Sequence, residues 1–145
     1  MKQLLRMVGV SAAFLAAAFA QPVVSSGGVM NAASYALPGL PNSGIAQGSM
    51  FIVFGSRLGP SALVQANSFP LLANLAGTSI RVTVNGTGVD ALMVYTVAGQ
   101  AVAVLPSNTP AGNGTLTVSY NGQTSAGVPV RVRESPRLAL TAQVG

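Results

Sequence analysis

The chain has no cysteine, no histidine and no tryptophan, and only two of its 145 residues are acidic, Asp90 and Glu134. Each absence excludes something. Without cysteine no disulfide can form, so stability must come from burial and backbone pairing. Without histidine the commonest general base is missing, and Lys2 is the sole lysine. No serine or threonine therefore has an evident side-chain base, which argues against triad-type nucleophilic catalysis. A two-carboxylate glycosidase would need Asp90 and Glu134 to converge. Asp90 follows the Asn-Gly turn at 85–86, whereas Glu134 ends the last strand-like segment, so convergence is not expected. A calcium site gathers several carboxylates, and Asp90 alone makes a weak one. The sequence reads as non-catalytic, with no metal and no cofactor.

Charge is scarce in general, at 6% of residues. Beyond the first twenty positions the charged side chains are Arg57, Arg81, Arg131, Arg133, Arg137, Asp90 and Glu134. The basic balance thus reflects a shortage of acids rather than a basic patch, and no nucleic-acid partner is expected on that count.

What is present begins with "MKQLLRMVGVSAAFLAAAFAQP". Lys2 and Arg6 make a basic start, Met7 to Ala20 carries no charge, and Ala18 and Ala20 form a small-x-small pattern before Gln21. This is the layout of a signal peptide, residues 1–20, cleaved after Ala20. The uncharged stretch is shorter than the roughly 20 residues of a membrane span. No span is expected in the mature chain, which is read as secreted, extracellular or periplasmic. Loss of Lys2 and Arg6 lowers the net charge from +5 to +3.

Residues 21–134 read as one domain built from strands. Gly, Ser, Thr, Asn, Val and Ala dominate, and no helix-period segment is visible. A short strand is predicted near Val29–Tyr35, followed by an irregular loop. "SMFIVFG" is a buried strand, and residues 59–77 are a long loop with room for one helical turn. "SIRVTVNG" alternates, with Ile80, Val82 and Val84 on one face and Arg81 and Thr83 on the other. "VDALMVY" and "QAVAVLP" are two apolar strands. "SNTPAGNG" is a loop, "TLTVSY" points Leu116, Val118 and Tyr120 inward, and Asn121-Gly122 marks a hairpin. "GVPVRVRE" points Val128, Val130 and Val132 inward, with Pro129 suiting an edge strand. About seven short strands at this spacing predict a β-sandwich. Residues 135–145 read as a linker or the start of a further element, whose Leu138, Leu140 and Val144 have no partner strand of their own.

"GSMFIVFGSRLGP", followed by the segment from "TSIRVTVNGTG" to "GQTSAGVPVRV", resembles an Ig-like domain of the IPT/TIG type. The likeness lies in Gly48–Gly59, Val82–Gly86, Val102–Pro106 and Gly114–Ser125. With "NAASYA" at 31–36, the chain looks like a module found near the C-termini of large secreted bacterial proteins. The resemblance covers roughly residues 28–133 and implies an antiparallel Ig-like sandwich. It does not specify an activity, because that fold hosts adhesion, spacing and DNA-binding roles. The module usually continues into a second, similar half.

Four features are candidates for function. Gly55 and Gly59 flank a turn after a buried strand. A phosphate cradle there would need a following helix and usually a lysine, and neither is present. The turn is therefore read as structural, with glycine supplying positive φ and Leu58 plugging the core. Arg131, Arg133 and Arg137 could meet phosphate or acidic polysaccharide, although the plain reading is a solvated strand face. Tyr35, Tyr95 and Tyr120 read as core or corner residues. Asn85-Gly86-Thr87 and Asn113-Gly114-Thr115 match a glycosylation acceptor pattern but read more simply as hairpin turns. The expected function is a secreted, non-catalytic module with a structural, spacing or adhesion role. The alternative is a carbohydrate- or surface-binding module using the basic last strand. Expected partners are other domains of a larger secreted protein, or cell-surface glycans or protein, with a monomer favoured.

Overall fold

The alternation at Thr78–Val84 is the clearest pattern in the sequence, and it forms a strand that seats the core. Ile80, Val82 and Val84 are fully buried, while Arg81 between them is exposed. The computed structural model describes residues 20–135 other than 38 and 42. The predicted signal peptide, Arg137 and the apolar residues Leu138, Leu140 and Val144 lie outside the described residues.

Among the described residues there is no helix, and eleven strands form two sheets. The first sheet runs, in spatial order, β1 (Val23–Asn31), β3 (Met50–Ser56), β8 (Gln100–Val104), β7 (Leu92–Val97) and β4 (Val64–Gln65). The second runs β2 (Ile45–Ala46), β11 (Val128–Arg133), β9 (Gly112–Tyr120), β5 (Thr78–Val84) and β6 (Thr87–Asp90). A two-residue strand, β10 (Gln123–Thr124), folds back onto the end of β9. Phe51, Val53, Ala101, Ala103 and Met93 of the first sheet meet Ile80, Val82, Leu116, Val118 and Val132 of the second in one core. Each of these side chains larger than alanine contributes about 1.5–3 kcal/mol on burial.

Eleven strands replace the predicted seven for identifiable reasons. "VDALMVY", read as one strand, is two. The chain pairs with β5 through Asp90, crosses at Ala91, and enters the other sheet at Leu92. Ala91 is fully buried and its N–H donates to the Ile80 carbonyl at 2.9 Å, so a small side chain marks the crossing. Hydrophobicity cannot show this, because both strands face the same core. The first strand begins at Val23, not near Val29, and a bulge between Val24 and Val29 absorbs the Ser-Gly run. The loop at 59–77 holds no helical turn but does hold β4. β2 and β11 pair in parallel through Val132↔Ile45, an exception to the expected antiparallel order. This pairing covers only the end of β11, and Pro129 sits on its uncovered half, as an edge proline should.

Asn85-Gly86 and Asn121-Gly122 have φ of 51° and 80°, and 50° and 84°, the paired positive values of a tight hairpin. Asn113-Gly114 is not a turn. It lies inside β9, where a Cβ on Gly114 would collide with the Thr83 carbonyl oxygen. The third Asn-Gly therefore serves close strand approach. Of the tyrosines, Tyr35 is exposed rather than core, and Tyr95 and Tyr120 are half-buried.

A polar bolt joins the two sheets. Thr78 of β5 and Thr96 of β7 are both fully buried, with their hydroxyls 2.9 Å apart. Thr78 Oγ1 also donates to the Leu58 carbonyl at 2.9 Å, whereas Thr96 reaches it only at 3.4 Å. Thr78→Val should therefore cost about 1–3 kcal/mol and Thr96→Val less, because the first removes the shorter bond to Leu58. Urea melts of the two variants check the order, and an equal loss would mean that the two hydroxyls share the carbonyl equally.

Candidate functional site

The turn "VFGSRLGP" closes the sandwich at the end of β3. Leu58 is fully buried in the core, as the sequence suggests, and its N–H donates to the Ala98 carbonyl at 2.9 Å. The glycines act differently from expectation. Neither Gly55 nor Gly59 has positive φ, and the left-handed residue is Arg57, with φ 56°. Gly55 is required because a Cβ would collide with the Val23 carbonyl oxygen, and Gly59 because one would collide with Thr96 Oγ1. The expectation that glycine supplies the turn's positive φ is corrected here. Close packing demands glycine at both positions, and the unusual backbone falls on an arginine.

That arginine lies beside a concavity of about 460 Å³. Gly59 and Ala98 form apolar wall, and Tyr120, Asn121 and Gln123 reach in from the β9–β10 hairpin. Ala20, where the chain enters β1, forms a further side, which opens on cleavage after Ala20. Arg57 Nε donates to the Gln21 carbonyl at 3.2 Å. Its Nη groups, the Tyr120 hydroxyl and the side-chain amides of Asn121 and Gln123 have no partner among the described residues. The walls are held by backbone bonds, Leu58 to Ala98 and Asn121 N–H to the Gly77 carbonyl at 3.2 Å. Sequence reasoning assigned the turn to packing and missed this cluster, because Tyr120 and Gln123 lie more than sixty positions from Arg57. Only the pairing of β10 with β9 carries Gln123 back beside Tyr120.

The arginines chosen from the sequence are partly brought together. Arg131 and Arg133 point from the same outer face of β11. The Arg133 stem packs over Gly44, where a Cβ would meet its Cγ and Cδ at 3.3 Å. Arg131 lines a second concavity, of about 400 Å³, with Pro129, Val130, Ala36, Leu40 and Ser43. The two concavities lie at opposite ends of β9.

The two acids do not converge. Asp90 on β6 pairs with Arg81 at 2.8 Å, with both side chains about half exposed, and such a bridge is worth about 0–1 kcal/mol. Glu134 follows β11, three strands away across the sheet and past the opposite end of β9. Among the described residues no three His, Cys, Asp or Glu side chains gather as metal ligands.

These features define an all-β protein with two facing sheets and clusters of neutral polar and arginine side chains at its rim. A solved structure with a similar fold, described as a "Putative bacterial DNA binding protein" from Bacteroides vulgatus, aligns with a TM-score of 0.51 at 17% identity. The alignment covers 79% of this chain and 48% of the other, so this chain matches about half the length of that protein. No protein-family model matches the chain, and no curated protein does. The expectation that nucleic acid is not a partner is corrected on this finding. It rested on a count of charges, and a fold like this one occurs in a protein described as DNA-binding. A low count excludes little, since neutral side chains and backbone N–H groups also contact phosphate.

Proposed function

We propose that the protein is an exported, non-catalytic Ig-like module of the IPT/TIG type, with a structural, spacing or adhesion role outside the cytoplasm. The observation that supports this reading is its chemistry: a well-packed sandwich without histidine or cysteine, whose two acids lie far apart. The leader-like residues 1–20 supply the export part of the reading. Mass spectrometry of protein recovered from the periplasm or medium should show a chain starting at Gln21. Full-length chain retained in the cytoplasm would overturn export.

A second reading, a carbohydrate- or surface-binding module, has its own supporting observation. Arg57, Tyr120, Asn121 and Gln123 surround a concavity with polar atoms that no described residue engages. The site that supports it is therefore the β3 end of the sandwich rather than the last strand, where Arg133 is spent partly on covering Gly44.

A further inference from the structure

The concavity beside Arg57 has the size of a small-molecule site, since such sites run from about 300 to 1,000 Å³. It is also built in advance. Gly59 packs so closely on Thr96 that a Cβ there would collide with the Thr96 hydroxyl, and the hairpin wall is tied down through Asn121 to Gly77. A preformed wall lowers the ordering cost of binding. Arg57 holds a left-handed backbone that is unfavourable for a non-glycine residue, and its guanidinium is anchored by one nitrogen to Gln21. The remaining nitrogens form a fork that meets no carboxylate among the described residues, because Asp90 is engaged by Arg81 and Glu134 lies at the far end of β9. A fork of this kind matches a planar carboxylate. In a chain that starts at Gln21 the new α-ammonium belongs to the residue that Arg57 already touches, and Ser61, Tyr120, Asn121 and Gln123 add neutral polar groups, a setting that suits a carboxylate whose carrier also bears hydroxyls. The Tyr120 ring and Ala98 offer apolar surface for a ring face.

We propose that this concavity binds a sugar ring bearing a carboxylate, with Arg57 pairing the carboxylate, Asn121 and Gln123 bonding ring hydroxyls, and Tyr120 lying against the ring. The inference rests on the binding-module reading and names its ligand class. The experiment is calorimetric titration of the purified protein with methyl glucuronide and with methyl glucoside, which differ at the carboxylate. The glucuronide should bind and the glucoside should bind at least about tenfold more weakly, as loss of one charge-assisted pair implies. Arg57→Gln should shrink that difference, Gln123→Ala should weaken both sugars, and Arg131→Gln should change neither. The Gln123 side chain has no hydrogen-bond partner among the described residues and its backbone pairing with Tyr120 survives the change, so its variant tests the site without disturbing the fold. Equal binding of the two sugars, or unchanged binding by Arg57→Gln, overturns the site. Glucuronide binding lost in Arg131→Gln instead overturns the site but leaves a binding module that uses its last strand. Binding of neither sugar overturns both. Binding of a DNA oligonucleotide alone, abolished by Arg57→Gln, would reassign the site to nucleic acid.

Discussion

Val118→Asp is expected to leave the protein unfolded, whereas Thr117→Asp, one position away, is expected to fold. Val118 is fully buried in the middle of β9, opposite Ile80 of β5 and inside the core shared by both sheets. A carboxylate there would have neither water nor a cation, and the cost is several kcal/mol even after protonation. That is comparable with the whole stability of a domain this size, about 5–15 kcal/mol. Thr117 points to the outer face and sits across from Arg81, so an aspartate there gains a cross-strand cation. Soluble yield and urea denaturation of the two variants provide the measurement. Equal damage from both would mean that the register of β9 is wrong by one residue, since a one-residue slip exchanges the faces.

Gly55→Ala is expected to destabilise the protein by about 2–3 kcal/mol, while Gly99→Ala is expected to be nearly neutral. The general expectation for glycine to alanine is a small gain, because the unfolded chain loses freedom. Gly55 reverses that sign. It pairs with Val24 of β1, and a Cβ would enter the space of the Val23 carbonyl oxygen. The obstacle is backbone, so no rotamer change can relieve it, and β1 must move away from β3. At Gly99 the nearest atom to a Cβ is the Gly55 carbonyl oxygen at 3.8 Å, an ordinary contact. Neither glycine has positive φ, so the comparison isolates steric approach from backbone strain. Thermal melts of both variants check it. A neutral Gly55→Ala would show that β1 docks loosely on β3.

The sequence by itself determined the all-β architecture and most of the core. Period-two alternation is a local signal, and it placed Ile80, Val82, Val84, Leu116 and Val118 inward because successive side chains on a strand must face opposite ways. Asn85-Gly86 and Asn121-Gly122 were legible for a similar reason, since few residue pairs accept consecutive positive φ. Tertiary structure alone decided the rest. Which sheet a strand joins depends on neighbours far away in the chain, so the crossing at Ala91 was hidden in one apolar run. Whether an Asn-Gly pair turns the chain or lets two strands approach depends on what lies across from it, and for Gly114 that is the Thr83 carbonyl. The candidate site was illegible for the same reason. Arg57 belongs to one turn and Tyr120, Asn121 and Gln123 to another hairpin, and only the facing of the two sheets brings their polar atoms around one concavity.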